Sequence, residues 1–512
     1  MLTRPQIHGP QPNLGDSRPR AVIIGSGFGG LAAAIRLGAK GYQVTVLERL
    51  DQPGGRALVH REGGFVFDAG PTIITAPHLF EELWAICGRR LADDVTLRAL
   101  DPFYRLQFDD GESLTCYADA ATMRAEVARL SPSDLAGYDR FMARSEAICR
   151  LGFEKLGAVP FNSVLDLFRQ GPSLLALGGA SSVYGLVSRF VKNEKLRVAL
   201  SFHPLFVGGN PFETTAVYCL ISHLERRWGV HFAMGGAGAL VHGLARLLQD
   251  QGAELRLRTE VVEILTHEGR ATGVRLADGE TLAADLVVSN ADAADTYGRL
   301  IPSHRRRRWT DARLARAKYS MSLFVWYFGV RRRYPDVGHH TILLGPRYRG
   351  LVDDIFRARP LAQDMSLYLH RPTATDPSMA PEGCDAFYVL SPTPHLDADI
   401  DWSVQAEPYR QAIARRLSDT LLPGLADDIV VSRVTAPPDF ARLYGSVKGA
   451  GFSLAPTLTQ SACFRPHNRS EEVQGLYLVG AGTQPGAGIP GVLSSAKILE
   501  SLVPDAHVLA GG

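Results

Sequence analysis

The clearest hydrophobic patterning stands near the start of the chain. A four-residue apolar run, Ala21 to Ile24, leads into Gly25-Ser26-Gly27-Phe28-Gly29-Gly30. An Ala-rich stretch follows as far as Gly41, and a second run carrying Val44, Val46 and Leu47 ends at Glu48. Short apolar runs punctuated by glycine read as buried strands, and the stretch between them reads as a helix, so a βαβ unit is predicted. Further on, Met234 to Leu240 opens an amphipathic helix through Leu248, one strand is predicted over 253–264, and Leu286 to Ala291 reads as another. Strands are also predicted over 322–329 and 387–390. Near the C-terminus, Leu476 to Val479 precedes Gly480-Ala481-Gly482-Thr483, then Pro485 to Val492 and a final helix.

One stripe admits two readings. Val183, Leu186, Val187, Phe190 and Val191 recur at helical spacing beside Arg189, Lys192, Lys195 and Arg197. Such a face packs into a core, or lies in a membrane interface with its basic flank on the headgroups. The glycine-rich segment 174–186 before it adds mobility consistent with a lid or a membrane entrance.

The βαβ unit carries specific chemistry. Gly25 permits the tight turn, Gly27 lets backbone amides approach a pyrophosphate, and Gly30 allows close helix packing. Glu48, eighteen residues beyond Gly30, ends a strand where its carboxylate accepts hydrogen bonds from a ribose diol. An adenosine diphosphate moiety is expected, with NAD and FAD both open at this point. The next segment, Gln52-Pro53-Gly54-Gly55-Arg56, offers a second flexible loop and a cation, which favours the longer FAD. The C-terminal glycine-rich element is a third contact, so one cofactor touches both ends of the chain.

At 512 residues and 46% hydrophobic content, the chain holds two or three domains. A net charge of +2 gives no case for nucleic-acid binding. Arg305 to Arg308 and Arg331 to Arg333 read as a solvated helix end and a turn, with anionic headgroups as the alternative. Six cysteines without a Cys-x-x-Cys pair fit ordinary buried thiols in a reducing cytoplasm. The first twenty residues lack an apolar h-region and read as a flexible tail, and no run reaches the length of a spanning helix. No metal site is read: His339-His340 comes nearest and would need further ligands placed by the fold. No nucleophile elbow is present.

The motifs together resemble the bacterial phytoene desaturase family, FAD-dependent relatives of the amine oxidases. The resemblance covers nearly the whole chain. It rests on Gly25 to Gly30, Pro53 to Arg56, Phe67 to Thr72, Gly208 to Phe212, Ser322 to Val325, His339 to Ile342, and the block from Phe464 through Gly491. Two positions depart from the family pattern: Gln484 stands where His is frequent and Ala237 where Thr is common. The resemblance implies FAD held by Gly25, Gly27, Phe28, Gly29, Gly30, Glu48, Gly55, Arg56, Val261, Gly480, Gly482, Gly488, Ile489, Pro490 and Val492. The flavin ring would lie near 488–492 and a substrate tunnel beyond it.

An α/β fold follows from this, with a discontinuous Rossmann-type FAD domain from 21–100, 235–300 and 466–512. A mixed sheet and helical substrate domain takes 101–234 and 301–465 and includes a membrane-associating helical region. The implied reaction is successive desaturation of phytoene and intermediate carotenoids toward neurosporene or lycopene. The flavin takes a hydride, so no strong base is required. Asp166 and Arg169 match an acid and a base in the family's substrate-side segment, while a surface ion pair is their default reading. Without a second nucleotide motif, quinone or oxygen is the expected acceptor, and attachment to the cytoplasmic membrane face is expected. Self-association is left open. Desaturases of hydroxylated or shorter carotenoids, a carotenoid isomerase and a cofactor-free lipid escort protein are the alternatives, and eroded glycines would mark the last.

Overall fold

The computed structural model describes residues 18–510, so the expected N-terminal tail lies, through residue 17, outside the described residues. Arg20 already belongs to the first strand. The nucleotide sheet has five strands in the order Leu476–Leu478, Leu286–Ser289, Arg20–Ile24, Gln43–Leu47 and Glu254–Arg256, every neighbouring pair parallel. Segments hundreds of residues apart therefore share one sheet. Its central strands are apolar on both faces, because the helices Phe28–Ala39, Ala237–Asp250 and Ile489–Leu502 cover one side and the three-stranded sheet that begins at Val261 covers the other. Phe28–Ala39 packs against both Ile489–Leu502 and Ala237–Asp250, so the opening and closing segments of the chain are in direct contact.

The strand predicted over 253–264 is two strands. Glu254–Arg256 ends the nucleotide sheet, and Val261–His267 starts a separate three-stranded antiparallel sheet. Arg258, with φ of 54°, breaks the run in a left-handed conformation that a continuous strand cannot hold.

A seven-stranded mixed sheet forms the other half, in the order Ile429–Thr435, Ser322–Val330, Asp385–Thr393, Leu367–His370, His340–Leu343, Tyr104–Gln107 and Ser113–Cys116. Ser322–Val330 is buried along its whole length, since one face meets the large core that holds Phe67, Tyr104 and Phe141 and the other the core beneath Trp402–Thr420. Helices between residues 120 and 228 close this half. No helix among the described residues is long and apolar enough to cross a membrane.

The stripe at 183–191 resolves as core. Its helix spans only Val183–Val187, and Val183, Leu186, Val187 and Val191 are buried. An amphipathic period reports a buried face without saying what buries it, and here protein does.

The arginine runs are likewise tied into the fold. Arg306 is buried and donates to the Trp309 carbonyl and to Asp311, while the amides of Arg307 and Arg308 donate to Glu472. Arg331 and Arg332 both pair with Asp428. The six cysteines are free thiols.

Candidate functional site

One cavity of about 1000 Å³ runs from the nucleotide sheet through the molecule to its surface. The first βα turn forms its floor. Gly25 has φ of +90° and its amide donates to the Leu47 carbonyl at 2.8 Å, which fixes the turn. The helix Phe28–Ala39 begins at Gly27 without any side-chain cap, so its first amides stay free for an anion. The second loop docks on the first: Gly54 pairs with Gly27, and the Gly54 amide donates to the Ser26 carbonyl at 3.0 Å. Gly54 and Gly55 both take positive φ, as that close approach requires.

Glu48 is buried at the end of its strand. Its Oε2 accepts from the Ser26 amide at 2.9 Å and the Ser26 hydroxyl at 2.7 Å, and its Oε1 from the Leu50 amide at 2.9 Å. Three protein hydrogen bonds take three of the carboxylate's roughly four acceptor sites, which leaves one for a ribose hydroxyl beside it. Glu48→Gln is expected to keep the fold and weaken flavin binding about 10–100-fold, since hydrogen bonds to a charged group contribute about 1.5–3 kcal/mol. Titration of flavin into the apoprotein reads this directly, and unchanged affinity would remove Glu48 from the site.

The fit to a dinucleotide rests on three further observations. Cβ atoms on Gly27 and Gly29 would stand 2.9 and 2.5 Å from the Asn290 side chain, so a side chain at either position would press Asn290 out of place. Arg56 is on the cavity wall and donates to Ser446 Oγ at 2.6 Å, and its Nε is buried with no partner. Asp292 also lines the cavity with Oδ2 unpartnered, and burial raises its carboxyl above the ordinary value. An orphaned guanidinium nitrogen at a pyrophosphate-binding turn matches a phosphate ligand. These residues fit FAD.

Of the predicted cofactor residues, all line the cavity except Gly30 and Gly482. Those two are packing glycines. A Cβ on Gly30 would lie 2.0 Å from the Gly25 carbonyl oxygen, and one on Gly482 would lie 2.8 Å from Ala293 Cβ. Asn290 is a site residue that sequence reasoning passed over. It lies against Gly25, Gly27, Gly29 and Gly480, and its amide donates to the Ile24 carbonyl at 2.8 Å. Its position at the end of a strand predicted to join the nucleotide sheet was the available signal.

Gln484, at the position where the family often has His, is buried and works on backbone. Its Nε2 donates to the carbonyls of Phe161 (2.7 Å) and Ala462 (3.0 Å), and its Oε1 accepts from the Phe161 amide at 2.8 Å. That clamps the cavity wall and calls for no proton transfer. Ala237, the other departure, donates its amide to Asp68 Oδ1 at 2.8 Å at the start of a helix.

Asp68 is fully buried, with Oδ2 unpartnered, and burial pushes its carboxyl up to about 7 against the pull of the Ala237 and Gly238 amides. Between the ordinary carboxylate value and 7, the folded protein therefore holds a proton that the unfolded chain has released. Stability is expected to fall as pH climbs from about 4 to 7 and to level off above. Asp68→Asn should flatten that slope in urea unfolding measured across the range, and an unaltered slope would locate its source elsewhere.

Asp166 and Arg169 are not among the residues lining the cavity. They stand on the helix Val164–Ala176, where Asp166 completes a capping box with Ser163, accepting from its amide and hydroxyl at 3.0 Å. Those bonds hold its carboxyl below the usual range, and Arg169 is exposed. The third ring that His339 and His340 lacked in sequence is His370, brought beside them by strand pairing.

The chain's likenesses agree with this geometry. Residues 28–498 match the family of flavin-containing amine oxidoreductases. The neurosporene-forming phytoene desaturase of Rhodobacter capsulatus is 52% identical over 95% of this chain and 94% of its own length. The lycopene-forming phytoene desaturase of Pseudescherichia vulneris is 49% identical over 94% of this chain and 99% of its own. Among solved structures, an oxidoreductase from Methanosarcina mazei superposes with a TM-score of 0.64 at 18% identity, covering 93% of this chain and 98% of that one. A putrescine oxidase bound to putrescine gives 0.62 at 16% identity, over 96% and 99%. The chain belongs to the flavin-containing amine oxidoreductases, on the branch of the bacterial phytoene desaturases, and its cofactor is FAD.

Proposed function

We propose that this chain desaturates phytoene in successive steps, giving neurosporene or lycopene. The observation that carries the reading is the continuity of the dinucleotide cradle with an apolar passage. Beyond Gly480 and Pro490, the same cavity is walled by residues such as Leu205, Phe206, Leu323, Ile342 and Leu390. Bound FAD supplies a hydride acceptor, which no side chain can provide. What the chain's own residues do is bind and exclude water: a wholly hydrocarbon substrate is held by burial. Loss of hydride beside a double bond leaves an allylic cation whose adjacent proton is acidic, so a strongly basic side chain is unnecessary. The relatives' names, neurosporene-forming and lycopene-forming, support the substrate and leave both products in play.

We further propose that the entrance rests on a membrane. Leu175 is 60% exposed and Leu458 58%, both at the cavity rim, and Leu165 on the same helix as Leu175 is 57% exposed. Apolar side chains ringing an opening suit a substrate drawn from lipid. This face replaces the 183–191 stripe as the docking surface. Asp166 and Arg169 stand on the helix that carries Leu175 to the rim, and the capping box of Asp166 orders its start. Quinone dissolved in the same membrane, or oxygen, takes the electrons. FAD-loaded protein given phytoene in liposomes, anaerobically with quinone and separately with NAD, should yield desaturated products with quinone. Reading the products by chromatography, an isomerised product with no acceptor consumed would overturn the proposal.

A further inference from the structure

We propose that His339, His340 and His370 form a binding site for a divalent first-row cation of the zinc type, coordinated by three neutral imidazoles. The strands of the seven-stranded sheet bring them together. His340 and His370 face each other as register partners in an antiparallel pair, and His339 precedes the first of those strands. One nitrogen from each ring lies within 4.8 Å of the others, and all three residues are buried. His339 Nε2 and His370 Nε2 are 3.1 Å apart. Two imidazole nitrogens on a tetrahedral zinc, each about 2.0–2.1 Å from the metal, stand roughly 3.3 Å apart.

The outward nitrogens are already engaged. His339 Nδ1 is 2.6 Å from Thr375 Oγ1, and His340 Nδ1 is 2.7 Å from the Tyr368 hydroxyl. Ligating histidines are oriented in this way, one ring nitrogen fixed by a polar partner so that the other is presented to the metal. The deciding atom is His340 Nε2, which is buried and has no hydrogen-bond partner. A ligand-free hydrogen-bonded cluster accounts for the His339–His370 contact but leaves that nitrogen unexplained, whereas a cation satisfies all three.

Charge is compatible with the assignment. Burial, the largest cause, together with Arg371 pushes His339 down to about 3, and burial lowers the other two as well, which keeps the rings in the unprotonated form that binds metal. Arg371 is the nearby cation, and its guanidinium is held by Asp385 at 2.9 and 3.2 Å and by the Val337 carbonyl at 2.7 Å. The three histidines do not line the cavity, but Tyr368 does. With Nε2 of His340 on the cation, its Nδ1 carries the proton and donates to the Tyr368 oxygen. That directs the Tyr368 hydroxyl to Thr72 Oγ1, 2.7 Å away, and braces the cavity wall.

The test uses tag-free, FAD-loaded protein equilibrated with Zn²⁺ or Co²⁺, passed through a desalting column and assayed for metal by mass spectrometry. The wild type is expected to retain one equivalent, and a His339→Asn/His370→Asn variant of equal flavin content none. Thr375→Val should weaken Co²⁺ binding 10–100-fold, with a shift in the cobalt absorption spectrum. A wild type that leaves the column free of both ions, or a double variant that retains the same equivalent, overturns the assignment. Should the double variant lose its flavin, the Thr375→Val titration decides, and an unchanged affinity there sinks the proposal.

Discussion

Gly30→Ala is expected to yield a protein that acquires no flavin. A Cβ at this position would sit 2.0 Å from the Gly25 carbonyl oxygen and 3.2 Å from Asn290 Cβ. Neither can give way, because the Gly25 amide is tied to Leu47 and its φ of +90° is the conformation that makes the turn. Overpacking a core costs about 1–3 kcal/mol where side chains can shift, and more where backbone must move. Here the backbone that moves is the pyrophosphate loop. Gly27→Ala makes the informative contrast. Its Cβ would meet only the Asn290 amide nitrogen, at 2.9 Å, the end of a side chain. That variant should fold as the wild type does and bind flavin more weakly. Far-ultraviolet circular dichroism and visible flavin absorbance separate the two, and a Gly30→Ala protein with normal flavin content would show that this helix does not need its close approach.

Elements governed by local sterics were legible in the chain. The turn at Gly25, the loop at Gly54-Gly55 and the helix start at Gly488 each depend on a backbone conformation or close approach that glycine alone supplies, so composition reveals them. Partners set by topology were not. His370 stands thirty residues beyond His340, and only the antiparallel register makes them neighbours. The stripe at 183–191 and the helix Val164–Ala176 show the limit from the other side. Both alternate apolar and polar at helical spacing, yet the first is covered by protein and the second carries Leu165 and Leu175 exposed. Periodicity encodes which face is apolar and is silent on what meets it. Glu48 was readable as a candidate ribose ligand because the strand ends there, whereas the place of Asn290 depends on four glycines drawn from two distant segments.

Arg465 is the second position where a large effect is expected, and it lies outside the cofactor residues that the sequence singled out. It is fully buried, with no carboxylate paired to it among the described residues, and burial lowers its pKa from the ordinary value. All of its hydrogen bonds go to backbone: Nε to the Thr483 carbonyl at 3.0 Å, Nη2 to Ala481 at 2.7 Å and Leu454 at 3.1 Å, and Nη1 to Gln460 at 3.3 Å. One planar fork thereby ties the glycine-rich loop at 480–484 to the segment 454–460 before it. Arg465→Ala orphans several buried carbonyls, each costing about 1–3 kcal/mol. Their sum is comparable with the about 5–15 kcal/mol that holds a domain folded, so little soluble holoprotein should be recovered. Arg465→Lys retains charge but lacks the fork, and its ammonium cannot reach carbonyls on both segments. It should fold with a lowered melting temperature and release flavin well before the global transition. Parallel melts followed by flavin fluorescence and by circular dichroism would resolve that gap, and coincident transitions in the Lys variant would mean that a buried cation, without its geometry, is enough to hold the loop.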